Sequence, residues 1–407
     1  MKNEKLNVKI RPVGFLDLLA FKKLIPSRKK RIALAPSTPV DAAPPVNVLA
    51  DRLHPKVQYL EVREITQETP DVRTFRLIPD GSSGSKELAI FRPGQYVSFS
   101  FEIEGASVTR PYSLSSSPSE ALKGYYEVTV KRNDEGFVSN YIWENWKVGS
   151  KVQCGDPQGL FYYNAIRDSR KIAGIAGGCG ITPFRSMAKA IVDGTLDSEL
   201  TIFFGCRTIN DVVFDKEFKL LEEASNGRIK VIHILSDEEY DSCEHGFITA
   251  DLIRKYVDPD ICSFFISGPQ AMYEFVRGEL KKLNVRDKFI RWELFGEIKN
   301  AEETAGFPKE KAGHSFSMTV HMGRAVQVIP AISGESLLVA MERAGMNPPS
   351  VCRSSVCGYC RSLLVKGDVF IPENETGRRQ ADKQFGYIHP CCSFPISDLE
   401  IIIPRKK

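Results

Sequence analysis

The sequence predicts a multidomain chain: an antiparallel β-barrel, then an α/β domain built on a parallel sheet, then a small α+β module. Three observations predict it. Short β-runs separated by turn signals fill Val57 to about Tyr163, apolar strands alternate with helical stretches from Lys171, and Cys352, Cys357 and Cys360 stand in the spacing C-x4-C-x2-C. A length of 407 residues allows roughly two to four domains, and a hydrophobic content of 42% supplies ordinary cores.

Charge sets the first stretch apart. Lys2, Lys5, Lys9, Arg11, Lys22, Lys23, Arg28, Lys29, Lys30 and Arg31 face only Glu4 and Asp17 before Pro36. Between the basic clusters, VGFLDLLAFKKLI reads as an amphipathic helix of about three turns, too short to span a bilayer and without the small-residue cleavage site of a signal peptide. Two uses of this arm stay open, docking on a partner protein and peripheral contact with an anionic membrane. APSTPVDAAPPVN then reads as an extended linker, and the extension and linker together cover residues 1–55. The net charge of +4 is too small to argue for nucleic acid.

VQYLEVREITQ, VRTFRLIP, QYVSFSFEI, YYEVTVKR and KVQCGD are the strands of the barrel, expected over 56–165. Within it stand RPYSLSSSP from Arg110, EVTVKR from Glu127, GFVSNYI from Gly136 and GDPQGLF from Gly155. Arg110 suits a phosphate, Tyr112 an aromatic ring to stack on, and the Ser113 hydroxyl a polar ring atom.

The α/β domain, expected over 166–300, opens with KIAGIAGGCGITPFRSMAKAI, an apolar strand ending in a glycine-rich turn that starts a helix. Gly177, Gly178 and Gly180 permit close backbone approach to a pyrophosphate, and the helix N-terminus adds amide donors and a favourable dipole. ELTIFFGCR, IKVIHILSD and CSFFISGPQAM follow as strands, with DKEFKLLEEA and AMYEFVRGELKKL as helices, which places a ligand at the carboxyl ends of the strands. In ILSDEE, Asp237 favours a free ribose 2′-hydroxyl, whereas Arg207 after the preceding strand suits a 2′-phosphate. NADH is the expected nucleotide with NADPH the alternative, and a solvated loop charge is the other reading of Asp237.

A charged connection over 301–314 leads to the last module, 315–407. SFSMTVHMGRAVQVIPAISGESLLVAMERAGM holds two alternating β-runs, a turn, and a helix that turns Leu337, Leu338 and Met341 to a core. The cysteine loop comes next. Three thiolates on one tight loop with a distant fourth suit a [2Fe–2S] cluster; a zinc ribbon pairs its thiols as two knuckles, and only one such pair is present. The remaining cysteines show no disulfide framework, so a reducing cytoplasm is the expected compartment.

From Ser315 to Pro404 the chain resembles the plant-type ferredoxins, which implies a β-grasp fold. The resemblance implies Cys352, Cys357, Cys360 and Cys391 as cluster ligands, with Cys392 an alternative to Cys391. Where that family often has glycine, three residues after the first cysteine, Ser355 stands, which implies backbone strain. The barrel resembles the flavin domain of the ferredoxin–NADP reductase superfamily. By that resemblance Arg110, Pro111, Tyr112, Ser113, Thr129, Val130 and Lys131 bind the flavin, and Phe137, Val138 and Ser139 bind its pyrophosphate. FAD is expected, with FMN the alternative.

The α/β domain resembles the superfamily's nucleotide domain, whose G-G-x-G-x-T-P is matched from Gly177 through Thr182 to Pro183. Ser267, Gly268, Pro269 and Met272 match its C-G-P-x-x-M, with serine in place of cysteine beside the nicotinamide. Glu293 and Phe295 are implied to lie against the flavin face; an ordinary core aromatic is the alternative for Phe295. The whole resembles the phthalate dioxygenase reductase and phenylacetyl-CoA epoxidase reductase type. Nicotinamide gives only a hydride and the cluster takes only one electron, so a flavin couples the two. The expected activity passes electrons from NADH through flavin and cluster to a partner protein such as an oxygenase. The alternative is a relay subunit inside a larger redox complex.

Overall fold

The computed structural model describes residues 15–35, 44–293, 298, 300–372 and 377–404, and the chain forms two compact units, residues 1–50 and 51–407. In the first unit, α1 (Phe15–Leu34) outruns the expected three turns and continues through Pro26. Pro26 lacks the N–H of a helix interior, so it removes one rung of the ladder without ending the helix here. Leu24, Ile25 and Ile32 stand exposed beside Lys22, Lys23 and Arg28 to Arg31. Helix α2 (Pro45–Leu53) takes up part of the segment expected as linker, with Pro45 in its first turn, where a missing N–H costs nothing.

In the second unit the barrel comes first: β1 (Gln58–Thr69), β2 (Val72–Pro79), β3 (Tyr96–Ile103), β4 (Ala106–Ser113), β5 (Tyr126–Lys131) and β6 (Lys151–Cys154). These pair in the order β4-β3-β6-β1-β2-β5, and a bridge between Leu114 and Val128 joins the two edges. Helices α3 (Pro118–Leu122) and α4 (Phe137–Asn145) flank it. Alternation along β1 to β5 sends Leu60, Phe75, Phe99, Phe101 and Val128 inward, where the Trp146 ring meets Phe75 and Phe99 edge-on at 5.3 and 5.2 Å.

The next sheet is wholly parallel: β7 (Lys171–Gly177), β8 (Glu199–Cys206), β9 (Ile229–Leu235), β10 (Glu244–His245), β11 (Cys262–Ser267) and β12 (Ile290–Glu293), in the order β10-β9-β8-β7-β11-β12. Helices α5 (Thr182–Val192), α6 (Asp215–Ala224), α7 (Ala250–Tyr256) and α8 (Gln270–Lys282) wind between the strands. Cover on both faces explains why the strands read as continuous apolar runs rather than alternating ones.

A buried polar seam ties α5 to the barrel. Arg185 on α5 donates to Glu127 of β5 at 2.7 Å and to the Ser115 carbonyl at 3.1 Å, and the Ser186 hydroxyl donates to the Ser116 carbonyl at 2.6 Å.

The last module has β13 (Ser315–Met322), β14 (Ala325–Ile332), β15 (Ser362–Lys366), β16 (Val369–Phe370), β17 (Tyr387–Ile388), β18 (Phe394–Pro395) and β19 (Leu399–Ile403), with α9 (Leu337–Arg343) and α10 (Gln380–Gln384). The main sheet runs β14-β13-β19-β15-β17, and parallel pairing of β13 with β19 brings the module's two ends together. On α9, Leu337, Leu338 and Met341 are fully buried, a face that stabilises the module by about 1.5–3 kcal/mol per side chain. The connection packs too: Ala301 is buried in the module's core and the Phe307 ring meets Phe370 at 5.1 Å.

Candidate functional site

Strands β7 and β11 are neighbours whose further connections run to opposite sides of the sheet, so a crevice opens at their carboxyl ends, Gly177 and Ser267. A cavity of about 820 Å³ lies there. The barrel contributes Pro111, Tyr112 and Ser113 from β4 and Thr129 and Lys131 from β5; the nucleotide sheet contributes Gly177, Gly178, Gly180, Thr182, Arg207, Gly268, Pro269 and Met272. Thirteen separated positions read from sequence are thus gathered around one space.

Gly180 is required by close approach, since a Cβ there would sit 2.0 Å from the Ser267 carbonyl oxygen, and Gly178 by its φ of +51°.

The cavity suits a polar aromatic cofactor. Among the described residues, the hydroxyls of Ser113 and Ser267 are buried without a hydrogen-bond partner, an arrangement that costs free energy unless a ligand supplies one. The other described residues predicted for the site, Arg110, Val130, Phe137, Val138, Ser139, Asp237, Ser267 and Glu293, are not among those that line the cavity. Ser267 pairs in register with Glu293 at the end of β12, and the Tyr273 hydroxyl donates to the Glu293 carbonyl while accepting from the Gly268 amide at 3.1 Å. Val130 and Val138 point into the barrel core, leaving their backbone for any cofactor contact. Phe137 and Ser139 lie in the first turn of α4, whose orphan amides face an anion favourably. Phe295 lies outside the described residues.

Around the cysteine loop the backbone is bent to aim amides at sulfur. The Cys360 and Cys391 sulfurs are 3.5 Å apart; Cys352 Sγ accepts from the amides of Ser354 and Cys357, each at 3.4 Å; and Cys391 Sγ accepts from the Ser355 amide at 3.3 Å. Such donors stabilise thiolate charge. Arg353 and Ser355 take φ of 55° and 63°, the left-handed region that ordinary residues avoid, so the strain expected at Ser355 has a backbone counterpart. The Ser355 hydroxyl meets His389 Nδ1 at 3.1 Å, a local tie holding that conformation. This chemistry fits a two-iron cluster held by Cys352, Cys357, Cys360 and Cys391.

The cluster loop also lies against the barrel. The Ser98 hydroxyl donates to the Val351 carbonyl at 2.9 Å, and the Thr109 and Ser350 hydroxyls share a hydrogen bond of 2.6 Å. Burial, with the charge of Cys352 next in effect, holds the Glu293 carboxyl well above its ordinary range. Burial raises Tyr96 as well, with Cys352, Cys357 and Glu293 adding to it. Arg110 is buried near Glu342 of α9, whose charge opposes the fall that burial imposes on the guanidinium.

At the cavity mouth, Arg207 Nε bonds Asp237 Oδ2 at 2.9 Å, and the Ser236 hydroxyl donates to Asp237 Oδ1 at 2.6 Å. The two residues that sequence set in opposition are thus one ion pair. Sequence reasoning missed Phe247 and Phe275, exposed aromatics lining the mouth with ring centroids 5.7 Å apart; an aromatic in HGFITADLI carries no local signal of such a role.

Together these sites define a chain that takes reducing equivalents from a nicotinamide and releases them one at a time. Family models agree: residues 59–163 match the oxidoreductase FAD-binding domain, 175–278 the oxidoreductase NAD-binding domain, and 322–396 the 2Fe-2S iron-sulfur cluster binding domain. The glycine betaine monooxygenase reductase subunit of Pseudomonas aeruginosa is 30% identical over 356 residues, covering 83% of this chain and 93% of that protein. The ferredoxin reductase component of the 3-ketosteroid-9-alpha-monooxygenase of Mycobacterium tuberculosis is 28% identical over 349 residues, 83% of this chain and 93% of that one. The solved structure of phthalate dioxygenase reductase shares the fold, with a TM-score of 0.61 at 22% identity over 86% of this chain and 98% of that one.

The chain belongs to the ferredoxin–NADP reductase superfamily, among its oxidoreductases with a C-terminal [2Fe–2S] ferredoxin module. It is an NAD(P)H-dependent oxidoreductase that passes electrons from NADH through FAD to a [2Fe–2S] cluster and on to a partner protein.

Proposed function

We propose that this protein is the reductase component of an oxygenase system, working in the cytoplasm, with domains over 56–165, 166–300 and 315–407. The relatives named as reductase subunits of monooxygenases support the partner class. The carrying observation is that the barrel and the nucleotide sheet line one cavity, into which Ser113 brings a buried hydroxyl without a partner among the described residues, and that the cluster loop bonds the same hairpin through Ser98 and Thr109. When bound, FAD accepts a hydride and delivers single electrons.

In this reading Tyr112 and Ser113 orient the flavin ring, Arg110 and the α4 N-terminus receive its phosphates, and Thr129 to Lys131 border it. The Gly177 to Gly180 turn and Thr182 seat the nucleotide pyrophosphate. Phe247 and Phe275 border the adenine end, and Ser267 with Pro269 and Met272 places the nicotinamide. Glu293, whose carboxyl burial holds well above its ordinary range, is proposed to lie at the flavin face. The test is an anaerobic NADH titration of the purified protein, in which flavin and thiolate-to-iron bands should bleach together, with two iron and two sulfide per chain. Zinc in place of iron would sink the proposal.

The basic arm is proposed to dock the acceptor. Described residues 19–34 of α1 are exposed and carry six cations. Deleting residues 1–35 should leave NADH-driven reduction of both centres intact and weaken transfer to the acceptor, most at low salt. Flotation with anionic vesicles that is lost on deletion would assign the arm to peripheral membrane contact instead.

A further inference from the structure

We propose that the outer face of the β3–β4 hairpin, through Ser98 and Thr109, fixes the iron–sulfur module in the arrangement from which the electron crosses. Both are positioning residues. The proposal rests on the cofactor assignments above, and its test separates its own failure from theirs.

Register pairs Tyr96 with Ser113, Ser98 with Pro111, and Ser100 with Thr109. Side chains two apart along a strand share a face, so Ser113, Pro111 and Thr109 lie in one row with Tyr96 and Ser98 beside them. One end of this face reaches the cofactor cavity through Ser113. Farther along, the face receives the cluster loop through Ser98, two residues or about 7 Å from Tyr96, and through Thr109, four residues or about 13–14 Å from Ser113. The loop residues they hold, Ser350 and Val351, run straight into Cys352. A rigid two-strand ruler therefore spans the gap between the centres.

A second feature holds the loop at that end. The Arg353 side chain is fully buried and donates to Glu342 of α9 from Nη1 and Nη2, at 2.5 and 2.7 Å. Helix α9 in turn lies against β4. Loop, helix and hairpin thus form one polar-bonded stack. In the step concerned, one electron leaves the reduced flavin and enters the oxidised cluster; the hairpin exchanges neither electron nor proton and sets only the separation.

The test is stopped-flow reduction of the holoenzyme by NADH, following flavin and cluster bands separately, in S98A/T109V and in T109S. In the double variant, flavin reduction should stay within about twofold of wild type, as for substitutions away from the reacting centres. Transfer to the cluster should slow on the order of tenfold, the change in docked population expected for lost buried hydrogen bonds. T109S keeps the hydroxyl and should retain the wild-type rate. The cluster's EPR spectrum and midpoint potential should not move. An unchanged transfer rate overturns the proposal, and so does a slowed rate accompanied by a shifted potential. Absence of iron and sulfide from the wild-type protein would instead overturn the cofactor assignments.

Discussion

Replacing Arg185 by methionine tests whether buried charge joins the barrel to the nucleotide sheet. The Arg185 side chain is 8% exposed, bonded to Glu127 and Glu217 at 2.7 and 2.6 Å, and stacked over the Phe214 ring at 4.5 Å. Methionine keeps the contact with Phe214 but strands Glu127, which is 5% exposed. Stranding a buried partner costs about 3–5 kcal/mol. Glu127 keeps Arg76 at 2.9 Å and Lys189 at 3.8 Å, so we expect the lower end, about 3 kcal/mol. Glu217, 30% exposed, is resolvated and adds little.

Urea unfolding of the holoenzyme, read by circular dichroism and by flavin release, measures the loss. The pH dependence supplies a second reading. Burial alone pushes Glu127 up, but the charges of Arg185 and Lys189 and the hydrogen bonds from Arg185 and Arg76 outweigh it and leave the carboxyl below its ordinary 4.5. Its stabilisation is therefore full above that value and disappears as pH falls through the lowered one. The gap between wild type and E127Q should be constant near neutrality and close in acid. A loss below about 1 kcal/mol in R185M, the worth of a surface pair, would refute the reasoning.

Cys357→Ser should leave NADH reduction of the flavin and transfer to ferricyanide intact while abolishing most transfer to cytochrome c; equal loss of both activities would argue against a linear path. Asp237→Arg removes the carboxylate that holds Arg207 and should shift the kcat/KM ratio several-fold toward NADPH, less so at high salt because both side chains are exposed. An unmoved ratio would remove Asp237 from the ribose site. Gly180→Ala places a Cβ against the Ser267 carbonyl and should cost about 1–3 kcal/mol while raising KM for NADH; unchanged KM and Tm would show that the loop yields freely.

What could be read from sequence was local. The cysteine spacing, the glycine turn after β7 and the apolar face of α9 each lie within a dozen residues, and strand or helix geometry fixes what they present. What escaped was long-range. Arg185 meets Glu127 across 58 positions and Ser98 meets Val351 across 253, and a serine in QYVSFSF has nothing to mark it. Arg353 reads as an ordinary charged loop residue, yet it is fully buried because Glu342 faces it. The arm differed as well: a proline at position 26 and a proline-rich linker argue for breaks, yet α1 runs through the first and α2 begins within the second.

The cysteine loop has an exposed rim. Val356 and Tyr359 are open to solvent while Cys352, Cys360 and Cys391 beneath them are buried. Arg207 and Phe247, by contrast, line the cavity on a different module, where the proposed reading seats the nucleotide. If the acceptor docks at that rim, the two guests share no residue in this reading and have no steric reason to take turns. An acceptor at saturation should leave the affinity for NADH unaltered, and a continuous current can flow without either guest leaving first.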